Sequence, residues 1–234
     1  MAPAAAGNIL IVQVLADGTN ASVPTVTSWT NAEDLAGTDT ALTSIGRFNV
    51  GNPVAATQEI LIGRSLSTSA PVITGANVGG DDVFVRMYEF TAGSTGTTLA
   101  TVIENSTAGA TANGTGAITQ IDDTAVVTLG IDRLALNLIA VNDDVTGLNN
   151  VLFGATGGTW VQRADYADAT GTDGALALQT AAMATAGTID GGSLFTGTAG
   201  SWGNVGFALL PTGAAAPSDI HQMGFVNFSD PGVV

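Results

Sequence analysis

Apolar side chains recur at every second position through a series of short segments, each closed by Gly, Asn, Asp or Pro. That period belongs to a pleated strand with one buried face, because successive side chains of a strand point to opposite sides. The segments are Asn8–Leu15, Val26–Thr30, Ala41–Val50, Glu59–Arg64, Asp82–Phe90, Leu99–Glu104, Thr124–Leu129, Arg133–Val141, Thr159–Ala164, Ala175–Ala181 and Asn204–Leu210. Ala175–Ala184 has the alanine content of a short helix, but Gly174, Thr180 and the stop at Thr185-Ala186-Gly187 favour a strand followed by a turn. The charged residues agree. Helix surfaces favour Glu and Lys, yet the only Glu here are Glu33, Glu59, Glu89 and Glu104, and every basic residue is an Arg (Arg47, Arg64, Arg86, Arg133, Arg163). Aromatics are 6% of the chain, so Val, Ile, Leu and Ala must fill the core, while 31 Gly allow tight hairpins throughout. The expected fold is all-β, an antiparallel β-sandwich of jelly-roll-like type built from two related halves.

The halves share an ordered series of landmarks. Ile9 to Asp17, Trp29, Gly37-Thr38-Asp39-Thr40-Ala41-Leu42 and Val83 to Tyr88 are followed in the same order by Leu134 to Asp143, Trp160, Gly171-Thr172-Asp173-Gly174-Ala175-Leu176 and Trp202 to Leu210. Asp17 is thereby set against Asp143 and Trp29 against Trp160, each Trp plugging an equivalent place in the core. The expected organisation is one sandwich over residues 1–211, made of repeats at about 8–90 and 133–211. An exposed crossover at 91–132 joins them, and a linker and tail follow at 212–234. Two separate lobes are the other arrangement this pattern allows.

A formal charge of −15 repels a phosphate backbone, and five dispersed Arg build no basic stripe, so nucleic acid and anionic lipid are not expected partners. The start, Met1-Ala2-Pro3-Ala4-Ala5-Ala6-Gly7, lacks the basic flank and apolar stretch of a signal peptide. The strongly apolar run Ile9–Ala16 is too short to cross a bilayer. A soluble chain that does not use the usual export route is therefore expected. Without Cys there is no thiolate chemistry.

Reactive groups are scarce. The one histidine, His221, stands in the tail, no Gly-x-Ser-x-Gly elbow offers a nucleophile, and without Lys there is neither a P-loop lysine nor a Schiff base. The four Glu form no convincing glycosidase pair, so the chain is expected not to be an enzyme and to carry no cofactor. Paired acids at Asp81-Asp82, Asp122-Asp123 and Asp143-Asp144 read as strand-end turns; were calcium to bind, Asp143 and Asp144 would be its place. Trp202, between Ser201 and Gly203, is the candidate for stacking on a sugar, whereas Trp29 and Trp160 are core candidates. The tail carries Met223, Phe225, Val226 and Phe228, an apolar set suited either to assembly or to folding back on the chain's own sandwich.

The opening Pro3-Ala4-Ala5-Ala6-Gly7-Asn8-Ile9-Leu10-Ile11-Val12, the Trp29-Thr30 step, the strand Asp132-Arg133-Leu134-Ala135-Leu136 and the closing Trp202-Gly203-Asn204-Val205-Gly206-Phe207-Ala208-Leu209-Leu210-Pro211 form a loose rhythm over residues 3–211. In this the chain resembles the Gly/Thr-rich β-sandwich structural proteins of tailed bacteriophages. The resemblance implies a component of the virion surface, made in the host cytoplasm: a capsid decoration protein or a fibre or tail-associated subunit. Its partners would be other copies of itself and other virion proteins, with a host-surface glycan as the alternative. The resemblance brings no catalytic residues. The chain departs from the family by starting almost directly on its first strand, which shifts the expected attachment element to the C-terminal tail.

Overall fold

A computed structural model describes residues 5–17, 25–38, 41–51, 55–76, 83–91, 94–104, 110–122, 125–142, 145–151, 159–168, 174–189, 192–211 and 220–223. Over these the chain is all-β, and a single turn of helix is present among them. The first strands are β1 (Ile9–Asp17), β2 (Thr25–Thr30), β3 (Ala32–Glu33), β4 (Thr43–Val50), β5 (Ala56–Ser65), β6 (Val72–Ala76) and β7 (Val83–Phe90). The helical turn α1 (Leu99–Val102) leads into β8 (Ile103–Glu104), β9 (Ala110–Asp122) and β10 (Val126–Thr128). The chain continues through β11 (Arg133–Asn142), β12 (Val145–Val151), β13 (Trp160–Asp168), β14 (Gly174–Met183), β15 (Gly187–Ile189), β16 (Gly192–Leu209) and β17 (Ile220–Met223).

One sheet runs β17-β7-β1-β5-β3, with β4 also on β5; the other, strongly curled, runs β12-β16-β11-β14-β13, with β8 and β9 on β16. The pairs β2–β6 and β10–β15 stand as small sheets of their own. All described pairings are antiparallel.

The order β7-β1-β5-β4 in the first sheet recurs as β16-β11-β14-β13 in the second. Register aligns the two residue by residue. Ile9 lies between Arg64 and Phe90, and Leu134 lies between Ala182 and Leu209. An irregularity falls between Ser44 and Gly46 of β4 and, at the matching place, between Gln162 and Ala164 of β13. This alignment corrects three landmarks. Asp17 matches Asn142, not Asp143, and one residue matters because a slip of one exchanges the two faces of a strand. Trp29 lies in β2, whereas Trp160 opens β13 and is the counterpart of Leu42, so the two Trp are not equivalent. Gly37–Leu42 leads into β4, but Gly171–Leu176 leads into β14, the counterpart of β5.

The inner faces meet in one core. Ile9, Ile11, Ile60, Ile62, Tyr88 and Phe90 of the first sheet pack with Leu134, Leu136, Leu138, Leu178, Val205, Phe207 and Leu209 of the second. At the far end Leu15, Val50, Ala56 and Phe84 meet Ala140 and Leu176, so β1 and β11 run the same way. One shared core means one sandwich, not two lobes. The sheets also touch backbone to backbone: Gly51 N–H donates to Trp202 O at 3.0 Å, and a Cβ on Gly203 would lie 2.6 Å from Asn49 O.

Half-burial is the expectation for each strand; β4 and β10 keep an exposed or partly exposed face, but β5, β7, β11 and β14 are buried almost throughout. Leu10, Val12, Val14 and Ala16 on the other face of β1 are buried with Leu61, Val85 and Met87. The other face of the second sheet is covered at one end by Val126 and Ile189 of the β10–β15 pair. Two-sided burial explains the near-continuous apolar run Ile9–Val12. Residues 91–132 are likewise more than an exposed crossover, since they carry α1, β8, β9 and β10, and Val102 and Ile103 are buried in the central core. Leu99–Glu104, expected as a strand, is the helical turn followed by β8.

Candidate functional site

The buried polar side chains form two clusters, one in each sheet. Gln13 of β1 sits on the inner face. Its Nε2 donates to Gln58 Oε1 at 3.2 Å and, across the sandwich, to the main-chain oxygen of Ile139 at 2.9 Å, while Tyr88 OH donates to Gln13 Oε1 at 3.1 Å. All three residues are fully buried. Burial pushes the Tyr88 phenol far above the usual tyrosine range, with the positive charge of Arg86 opposing it more weakly. In the second sheet the matching positions are Leu138, Leu176 and Phe207, which are apolar.

The second sheet reverses this pattern on its other face. Asn204 Nδ2 donates to Asn137 Oδ1 at 3.2 Å, and Asn137 Nδ2 donates to Gln179 Oε1 at 3.1 Å, giving an amide ladder across β16, β11 and β14. Their counterparts in the first sheet are Val85, Val12 and Leu61. Each half therefore carries one polar patch at positions where the other half is apolar. These amides are hydrogen-bonded to one another and to main chain, an arrangement that fixes strand register and the fit of sheet on sheet.

Two arginines, Arg64 and Arg133, brace the end where β1 and β11 begin. Arg64 donates to the carbonyls of Gly7, Ser94 and Gly96, which ties two loops to β5; burial lowers its pKa and the Glu33 carboxylate opposes that shift. Arg133 pairs with Glu104 at 3.2 Å, and Glu104 also accepts the main-chain N–H of Leu129 at 2.9 Å. Arg133 Nη1 donates to Ile131 O at 2.9 Å, and a Cβ on Gly130 would strike the guanidinium at 2.4 Å. The turn between β10 and β11 is thus pinned from three sides. It holds Leu129 (71% exposed) and Ile131 (62% exposed) out to solvent, with Leu66 exposed at the same end.

The sites expected from the sequence are placed as follows. Trp160 is buried with Ala135, Ala181 and Met183, as a core residue. Trp202 is 8% exposed with its Nε1 buried, so the partly open ring expected for sugar stacking is corrected: the ring is covered. Trp29 is placed only as a backbone position of β2 opposite Ile73. Asp143 and Asp144 lie outside the described residues, and among those described no group of three or more His, Cys, Asp or Glu converges to hold a metal ion. Phe225, Val226 and Phe228 also lie outside them. Met223 closes β17, which pairs with β7, so this part of the tail is a sheet strand.

Sequence reasoning missed Gln13 and the amide ladder. The signal was present as an isolated polar residue inside an apolar strand: Gln13 within Ile9–Ala16 and Asn137 within Leu134–Val141. Compared with protein-family models, curated proteins and solved structures, the chain matches none.

Proposed function

We propose that the chain is a non-enzymatic structural component of a tailed-phage particle, present in many copies on the virion surface as a capsid decoration or a fibre or tail-associated subunit, and acting by protein–protein assembly. The observation that carries this reading is how the interior polar groups are used. Gln13, Gln58, Tyr88, Asn137, Gln179 and Asn204 bond to one another across strands instead of lining a cleft. Such an interior supports a rigid shell. The sequence rhythm of the phage sandwich proteins supports the same reading.

The contact surface assigned to assembly is the end that carries Leu66, Leu129 and Ile131. A pinned turn presents aliphatic side chains at low entropic cost, because the backbone is already ordered before a neighbour arrives. The test is mass spectrometry and imaging of purified particles from the encoding phage. Peptides of this chain at many copies per particle are expected, and a Leu129→Asp/Ile131→Asp double variant should lose at least tenfold in occupancy while its melting temperature is unchanged. A chain found free in the lysate and missing from particles would end the proposal.

A further inference from the structure

We infer that the turn between β10 and β11 is one half of a contact between two copies of this chain, and that the other half is Val161 and Arg163 on β13. The contact deepens the assembly role proposed for that turn, and rests on it, by naming the partner.

The turn offers two aliphatic side chains and a carboxylate. Leu129 and Ile131 stand out to solvent, and Asp132 beside them is exposed as well. Asp132 has φ +56°, in the left-handed region that favours glycine. Its counterpart, two residues before β1 as Asp132 is two before Leu134, is a glycine, Gly7, with φ +82°. A carboxylate therefore occupies a position that the backbone alone would give to glycine. The Arg133–Glu104 pair and the bond from Arg133 to Ile131 O hold the three side chains in a fixed relation.

β13 offers the complement, and it ends the strand path of the second sheet. Val161 is 42% exposed, and Arg163, two residues on, is exposed too. Arg163 is the residue left out of the β13–β14 register, between Gln162 and Ala164. Such a bulge re-aims a side chain. At the matching irregularity of β4 the residue left out is Ile45, which packs against the central core, and Thr43 holds the place of Val161. The position that sends an aliphatic side chain to the core in the first half thus presents a cation at the surface in the second. Arg163 Nε donates to Thr180 Oγ1 at 2.9 Å, a bond to a hydroxyl that steadies the side chain without cancelling its charge. Arg47 and Arg133, by contrast, are each paired with a glutamate.

Aliphatic groups beside an anion on one surface match an aliphatic group beside a cation on the other, in apolarity and in charge. Because the two surfaces are different parts of the chain, the contact is head to tail, and repeating it builds a ring or a filament. The net charge of −15 opposes association at a distance, but at about 0.15 M salt exposed charges more than about 8 Å apart are largely screened, and a pair in contact is not.

Sedimentation velocity of the full chain in about 0.15 M salt, from micromolar to about 1 mM, reads the contact. Association that grows with concentration is expected. Asp132→Arg and Arg163→Asp should each weaken it about fivefold or more, and both changes in one chain should bring it back to within about twofold of native. Mixing the two single variants should restore association that neither shows alone. Asp132→Asn, which the left-handed conformation tolerates, should weaken it too, with melting temperature showing that each variant is folded. A native chain that stays monomeric, single variants that associate as the native chain does, or a double variant no better than the singles overturns the inference. None of these readouts needs a particle. A chain that associates in this way yet is missing from virions would end the virion reading and leave the contact standing, whereas a monomeric chain held on virions through Leu129 and Ile131 would end the contact alone.

Discussion

Gln13 joins the two sheets of this protein with a single side chain. Its amide protons reach one neighbour within the sheet and one main-chain oxygen in the opposite sheet, and its oxygen accepts from Tyr88. Gln13→Leu removes the donor and the acceptor and leaves the partners buried, so it should cost roughly 2–4 kcal/mol, each orphaned buried group contributing about 1–3 kcal/mol. Gln13→Leu/Gln58→Leu/Tyr88→Phe copies the Leu138, Leu176 and Phe207 set of the other half, and removing both sides of a buried bond is far milder than removing one. Urea unfolding should therefore show the triple variant to be more stable than the single one. The reverse order would show that these bonds do not carry the contact. Single polar residues of this kind were visible in the sequence but their role was not, because the acceptor of Gln13 is a carbonyl on a strand 126 residues away and its place is fixed only by how the sheets face each other.

At the scale of strands, the two halves, matched by register, act as controls for each other. Gly63 of β5 and Ala181 of β14 hold matching register positions, opposite Leu10 and Ala135. The second sheet accepts a methyl group there. In the first, β3 crosses the same spot, so a Cβ on Gly63 would meet Glu33 O at 2.3 Å and Leu42 Cδ2 at 2.2 Å. Gly63→Ala should cost about 1–3 kcal/mol or more, because a main-chain oxygen in a paired strand moves only with its sheet. Ala181→Gly should cost about 1 kcal/mol or less. Equal effects at the two positions, measured by chemical denaturation, would contradict the alignment. Strand existence was legible from the period of two, and the Ala-rich stretch at Ala175 resolved correctly into a strand from its Gly and Thr content. Two kinds of element were not. The helical turn α1 is held by the Thr98–Thr101 side-chain contacts, which any Thr-rich loop in this chain resembles at the level of sequence. The correspondence of halves was blurred because low-complexity Gly/Thr motifs recur before non-equivalent strands, and only the register separates them.

The whole molecule is a sandwich whose two layers share the strand order β7-β1-β5-β4 and β16-β11-β14-β13. Composition foretold the class: few aromatics, many small residues and turn formers, and no Lys. It could not foretell that both faces of β1 would be buried, nor that the β10–β15 pair would cover one end of the second sheet's other face, since both depend on contacts between strands distant in sequence. The central claim is that the halves share one core, with Ile11 and Tyr88 of the first packed among Leu136 and Phe207 of the second. Neither half can then melt without exposing the other. Scanning calorimetry of the intact chain tests this most directly. A single transition is predicted, with calorimetric and van't Hoff enthalpies equal. Two resolved transitions, each assignable to one half, would contradict it.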